Sequence, residues 1–390
     1  MYRKFLSVLT VLTVFVALFM FSTTNSVNAK STYKRVSISN VRSTAYHNKS
    51  NSGAAYNQSH SRCAFLLKSH PHTSWYVTKK ETLRHNRANA VYFYVRSGNK
   101  KYSGWVWQQY LTKGGAPFWI KSTHAAAIDV NTGKFLYNKS ATAKVPVAST
   151  IKLLTIYNVL QKVHSKKYSW NSIVNTSGSG LYNMSRSYAC GGFVLKHGVR
   201  YTVKQLYQAA LIDSSNAAVI ALGRWVSGSN VKQVQRMRSQ LNSWGLRGNY
   251  IVSVSGLDNG DLNGYGYRYP GSSAYAQNTI SAHDMAVVAR NLLNKYPEVN
   301  QTTKINNLKV HGQWVHNVNT TLPGRKYNVR SLYINGLKNG YTPRAGYCLI
   351  GSSQKPGHHK LITVVIHDDD MSSDTTALMT HVYKYHSLKN

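Results

Sequence analysis

Acidic residues are scarce in this chain: 11 Asp and Glu stand against 48 Lys and Arg in 390 residues, a formal net charge of +37. Such a surface is suited to a polyanionic partner, with plain solubility of a basic protein as the simpler explanation of the same charge. Cysteine is scarcer still. Cys63, Cys190 and Cys348 are too few for a disulfide framework, and the absence of any C-x-x-C pair argues against a zinc or dithiol redox site. One disulfide stays open, although Cys348 lies in an apolar, strand-like run and reads as a buried thiol. Histidine is plentiful, yet His70-Pro71-His72 and His358-His359 lack metal-ligand spacing backed by carboxylates and read as solvated. No metal and no cofactor is implied. Beyond the first 21 residues no hydrophobic run is long enough to span a membrane.

That first run is informative. Arg3 and Lys4 precede an apolar stretch from Phe5 to Phe21, then polar residues lead to Val27-Asn28-Ala29. This is the pattern of a secretory signal over residues 1–29, cleaved before Lys30. The run is at the long end for a signal, so an uncleaved anchor is the alternative. Export makes the expected polyanion an anionic cell-wall polymer such as a teichoic acid rather than nucleic acid, and places the protein outside the cell, associated with the wall.

From residue 30 to about 115 the only acid is Glu81, and short runs of β-forming residues alternate with polar, Gly- and Asn-containing stretches. A small all-β module is expected. Its clearest piece is Val91 to Val95, a turn at Ser97-Gly98-Asn99-Lys100, and Ser103 to Trp107. The segment resembles the SH3-like wall-binding modules of Gram-positive surface enzymes, and the plainer reading of Tyr92, Trp105 and Trp107 is the core of a small barrel. Gly114-Gly115-Ala116-Pro117 reads as the linker.

Residues 116–390 carry a second pattern. A hairpin is expected over Ala125 to Asp129 and Lys134 to Tyr137, turned at Asn131-Thr132-Gly133. A helix follows Ser149, with Leu153, Leu154, Tyr157 and Leu160 at helical spacing. Further helices are read at Val203 to Leu211, Ala217 to Val226, Ala282 to Asn294 (with Ser281 and Asp284 as a capping box) and Asp374 to Tyr385. Strands are read at Tyr347 to Ile350 and Leu361 to Ile366. One sheet is therefore built from both ends of the domain around a helical insert.

Chemistry concentrates in three short motifs. Ser149-Thr150-Ile151-Lys152 places an amine one helical turn after a hydroxyl, so that the lysine can serve as base to a serine nucleophile. Ser214-Ser215-Asn216 and Lys338-Asn339-Gly340 follow in order. Together they resemble the S-x-x-K, S-x-N and K-T-G elements of the low-molecular-weight penicillin-binding proteins, the serine-type D-alanyl-D-alanine carboxypeptidases. The resemblance implies a five-stranded antiparallel sheet with helices on both faces and a helical subdomain. It implies hydrolysis of the terminal D-alanine from peptidoglycan stem peptides through an acyl-enzyme, with β-lactams as covalent inhibitors. Ser149 would be nucleophile and Lys152 base, its pKa lowered by burial and by Lys338. Ser214 would relay the proton to the leaving amine and Asn216 would hold Lys152, although both also suit a helix cap. Lys338 and Asn339 would bind the substrate carboxylate. The backbone N–H groups of Ser149 and Tyr341 would form the oxyanion hole, and Gly340 would leave room for a peptide laid along the strand.

Three departures stand out. Asn339 occupies the place of threonine, Ala217 that of the aspartate common after S-x-N, and no Arg or Lys lies between Lys360 and Lys384. Two other readings follow: a non-catalytic wall-binding protein on a degenerate scaffold, favoured by Asn339, and a serine β-lactamase. The latter needs a deacylating glutamate, and the only glutamate beyond residue 116, Glu298, is followed by Val299-Asn300 rather than E-x-x-x-N.

Overall fold

The computed structural model describes residues 33–388 apart from 86 and 87. The expected signal segment lies outside the described residues. The chain divides between Trp119 and Ile120 into two compact units, slightly beyond the boundary read at Ala116.

In the first unit β-forming runs make seven strands: β1 (Lys34–Asn48), β2 (Ala54–Tyr56), β3 (Cys63–Leu66), β4 (Trp75–His85), β5 (Ala88–Ser97), β6 (Ser103–Trp107) and β7 (Leu111–Lys113). They form one sheet in the order β3-β2-β6-β5-β4-β1-β7. The β5–β6 turn closes with the Lys100 N–H donating to the Ser97 carbonyl at 2.9 Å, and Lys100 takes the left-handed φ of 61° that such a turn needs. Ala55, Trp75, Val77, Val95 and Val106 build the core. Side chains alternate across a strand, so Tyr92, Trp105 and Trp107 face away from Val95 and Val106. Trp105 is nonetheless fully buried, in keeping with the plainer reading, whereas Tyr92 and Trp107 are only part-buried.

The second unit begins with β8 (His124–Asp129) and β9 (Phe135–Lys139) and ends with β12 (Ile334–Thr342), β13 (Gly346–Ser353) and β14 (Leu361–Asp368); between them lies the small hairpin β10 (Asn307–Val310) and β11 (Gln313–His316). The five long strands pair antiparallel in the order β12-β13-β14-β8-β9, with β12 at one edge. The β8–β9 turn is fixed by Asp129, whose Oδ1 accepts from the Asn131 N–H at 2.9 Å.

Among the described residues the longer helices are α1 (Lys152–Val163), α2 (Ser179–Arg186), α3 (Val203–Ile212), α4 (Asn216–Ser227), α5 (Asn230–Ser243), α6 (Ala282–Lys295) and α7 (Met371–Tyr385). Ile362, Val364 and Ile366 of β14 join Met285 and Ala289 of α6 in the main core. A Cβ on Gly351 would meet Met379 and Thr375 of α7 and Thr363 of β14. Alternation along β14 therefore places α6 and α7 on opposite faces of the sheet. Helix α1 is buried almost all round, including Lys152, Thr155 and Asn158, and so has no solvated face. Its polar groups are satisfied internally: Thr155 donates to the Val254 carbonyl at 3.0 Å and Asn158 Oδ1 accepts from Gln233 at 3.0 Å.

Some local readings change. Ser281 caps α6 by accepting from the Asp284 N–H at 3.0 Å, but Asp284 turns its carboxylate to Lys144 and Asn249 instead of completing a box. A reciprocal box stands at Thr202 and Gln205 instead, at the start of α3. All three cysteines are free, which removes the disulfide, and burial pushes the Cys348 thiol up to about 12. His359 is not solvated: it is buried and hydrogen-bonded to Asp129 at 2.8 Å. His70 packs on Tyr102, ring centroids 4.1 Å apart.

Candidate active site

Ser149 lies in a tight 3-10 turn, Ala148–Ile151, that leads into α1 at Lys152. The α-helix expected from Ser149 thus starts three residues later. The turn still brings the Lys152 amine to the serine, Nζ to Oγ 2.5 Å. Ala148 adopts φ of 47°, a costly value for a residue with a Cβ. Two glycines hold that turn in place. A Cβ on Gly340 would lie 2.6 Å from the Ser149 nitrogen, and one on Gly256 would collide with the Ala148 carbonyl. Gly340 is therefore required by the protein's own nucleophile turn, a steric reason separate from the room expected for a peptide.

Lys152 is completely buried and makes two further hydrogen bonds, to Asn216 Oδ1 at 2.7 Å and to the Ser255 carbonyl at 2.8 Å. Asn216 donates its own Nδ2 to the Cys190 carbonyl at 2.9 Å, which fixes its amide so that oxygen faces the lysine. Both partners are acceptors. An ammonium would donate to all three oxygens, whereas a neutral amine donates to Asn216 and Ser255 and aims its lone pair at the Ser149 hydroxyl. Burial first, then the nearby Lys338 cation, hold the Lys152 pKa well below the usual lysine range.

Lys338 sits on the edge strand β12, also buried, and donates to Ser214 Oγ at 2.9 Å and to the Asn339 carbonyl at 2.8 Å. Burial pushes it down to about 7, with the Asp213 carboxylate pulling the other way. Asp213 in turn is raised to about 6 by burial, opposed by His316 of β11 and by Lys338. Ser214 stands just ahead of α4 with φ of 56°. The helix cap is Ser215, whose hydroxyl accepts from the Ala218 N–H at 3.3 Å. That resolves the cap alternative for Ser214 and Asn216: their side chains face the two lysines. Asn339 and Tyr341 alternate to the other side of β12 from Lys338 and Gly340, and Tyr341 is exposed and lies 4.6 Å from Tyr347, ring to ring.

Ser149, Lys152 and Asn216 thus form one hydrogen-bonded set and Ser214 and Lys338 a second, close enough for the Lys338 charge to act on Lys152, with Gly340 against the Ser149 backbone. Three participants were not read from sequence. Ser255 acts through its carbonyl, Gly256 through its lack of a side chain, and Asn278 binds the N–H groups of Val252 and Ser253 at 2.8 and 2.9 Å to hold that segment. A backbone oxygen leaves no residue-type signal. Glu298 lies at the surface, bonded to His164 at 2.8 Å.

The D-alanyl-D-alanine carboxypeptidase family profile matches residues 112–370. Over 253 residues the chain is 28% identical to the D-alanyl-D-alanine carboxypeptidase DacF of Bacillus subtilis, covering 62% of this chain and 56% of that protein. Over 241 residues it is 28% identical to DacA of Escherichia coli, covering 61% and 54%. The chain thus spans little more than half the length of these relatives. Among solved structures it resembles a peptidoglycan synthesis regulatory factor (PBP3) from Streptococcus pneumoniae, with TM-score 0.64, 34% identity, 68% of this chain and 74% of the other. It also resembles penicillin-binding protein D2 of Listeria monocytogenes in its ampicillin-bound form, with TM-score 0.56, 25% identity, and coverage of 68% and 99%.

Proposed function

The chain belongs to the D-alanyl-D-alanine carboxypeptidase family, and we propose that it removes the terminal D-alanine from peptidoglycan stem peptides through an acyl-enzyme on Ser149. The observation that carries this is the lysine clamp: Asn216 and Ser255 take two donors of Lys152 and leave its third position to the nucleophile. Neutral Lys152 takes the Ser149 proton as Oγ attacks the scissile carbonyl. The backbone N–H groups of Ser149 and Tyr341 receive the developing oxyanion. Ser214, hydrogen-bonded to Lys338, passes a proton to the leaving D-alanine nitrogen. Protonated Lys338 attracts the substrate carboxylate, and Asn339, next to it in sequence, carries an amide in place of a hydroxyl. Water then releases the shortened peptide and restores Ser149. β-Lactams follow the first half of this path, as the ampicillin-bound relative supports.

The degenerate-scaffold reading rests on Asn339 alone. One experiment separates the two: incubation with a fluorescent penicillin, with the adduct located by mass spectrometry. Label on Ser149, lost in Ser149→Ala, supports the enzyme; label on Ser214 or no label sinks it.

The first unit and the export signal complete the reading. We propose a secreted protein that an SH3-like module holds at the wall, with the +37 charge adding attraction to anionic polymers such as teichoic acids. Co-sedimentation with walls before and after teichoic acid extraction tests it. Binding indifferent to both salt and extraction would remove the polyanion from the account.

A further inference from the structure

The first unit has a second organised face. Opposite its core, strand alternation places Tyr56 on β2, Trp105 and Trp107 on β6, Tyr92 and Tyr94 on β5, and Glu81 and Leu83 on β4. A strand face turned away from a small core is ordinarily polar. Here it is aromatic, and the segment Asn57–Arg62 crosses it. That segment is pinned from within: Asn57 Oδ1 accepts from the N–H groups of Ser61 and Arg62 at 3.0 and 3.2 Å, and Gln58 Oε1 accepts from Trp105 Nε1 at 3.0 Å. Beneath it Glu81, the unit's sole acid and fully buried, binds Arg35 Nε at 2.7 Å and also the His60 ring.

At the edge of this face lies an open cleft of about 510 Å³ lined by Tyr33, Arg35, Leu83 and residues 57–60. It adjoins a smaller recess of about 110 Å³ walled by Tyr33, Tyr56, His60, Leu83 and Tyr92. We propose that this cleft binds the neutral, N-acetylated sugar chain of the wall, a proposal that rests on the reading of this unit as a wall-binding module. The lining chemistry favours a sugar. The C–H face of a pyranose packs on Tyr rings, while hydroxyl and acetamido groups need the mixed donors and acceptors that Asn57, Ser59 and the tyrosine hydroxyls supply. The charge argues for a neutral ligand, because the Arg35 guanidinium is already matched by the Glu81 carboxylate, so a phosphate gains little there. Polyanion attraction then belongs to the general surface and this cleft does not share it.

The test uses the full-length protein titrated with the β-1,4-linked tetramer of N-acetylglucosamine, followed by calorimetry and by Trp fluorescence. The expected result is saturable binding that changes little between about 0.1 and 0.5 M salt and weakens at least about tenfold in Tyr33→Ala, whose exposed ring is not part of the core. Tyr92→Ala, checked for folding by circular dichroism, should behave alike. Walls should also be released by the tetramer. Walls that sediment the protein but are not competed by the tetramer, or are competed instead by a stem peptide, overturn the sugar assignment and leave wall binding standing. A protein that does not sediment with walls at all overturns the underlying reading.

Discussion

Each unit buries charge, and each treats it in the opposite way. In the first unit Glu81 is enclosed completely and given the Arg35 cation and a hydrogen bond to the His60 ring. In the second, Lys152 and Lys338 are enclosed as completely and receive no carboxylate hydrogen bond; Lys152 has Asn216, Ser255 and Ser149, and Lys338 has Ser214 and the Asn339 carbonyl. Elsewhere in the second unit acids do pair with bases, as Asp284 does with Lys144. The contrast teaches that a buried charge with a counter-ion fixes structure, whereas a buried amine offered only neutral oxygens has its proton loosened and becomes a base.

The comparison breaks most sharply at Lys152. Lys152→Ala should lower the rate of acylation by a β-lactam at least on the order of 10³-fold, since nucleophile and base act as one unit. Stopped-flow acylation checks it, and a near wild-type rate would show that the amine is not the base. Asn339→Thr should come next. Restoring the hydroxyl at the position after Lys338 should strengthen carboxylate recognition, seen as a lower KM for a peptide ending in free D-alanine, by about 1.5–3 kcal/mol at most. A fall in activity would mean that this site is adapted to the amide. Smaller again is Glu81→Gln. It leaves Arg35 without its counter-charge and should destabilise the first unit by about 1–2 kcal/mol, moderated because Arg35 is 40% exposed on its side chain. Hydrogen exchange across β4 and β5 should quicken while acylation of Ser149 stays unchanged; coupled loss of acylation would blur the division between the units.

Much of this division was legible in the residue order, because its signals are local. The Asn131-Thr132-Gly133 turn, the apolar spacing of α1 and the three motifs each declare themselves within a few residues, and the structure gathers the motif side chains into one group. What stayed hidden depends on distant approach. Asp129 meets His359 across the sheet, so a buried histidine looked solvated. Gly340 answers to the Ser149 backbone, which no strand pattern reveals. Ser255 contributes a carbonyl, an atom every residue owns. In the first unit the aromatic count was plain, but the face on which the rings stand depended on where β5 and β6 pair.

The claim that Lys152 is a base because it lacks a carboxylate is tested most directly by supplying one. Acylation by a β-lactam, measured against pH, should rise through the depressed pKa of Lys152, which must lose its proton, and fall as pH passes about 7, where Lys338 loses the charge that attracts the substrate carboxylate. In Asn216→Asp a carboxylate replaces the neutral oxygen 2.7 Å from Nζ. An opposite charge at that distance raises a lysine pKa, so the acid limb should move up toward the fall set by Lys338, narrowing the profile and lowering its maximum. An acid limb that stays at its wild-type position, with the rate lowered equally at every pH, would contradict the account.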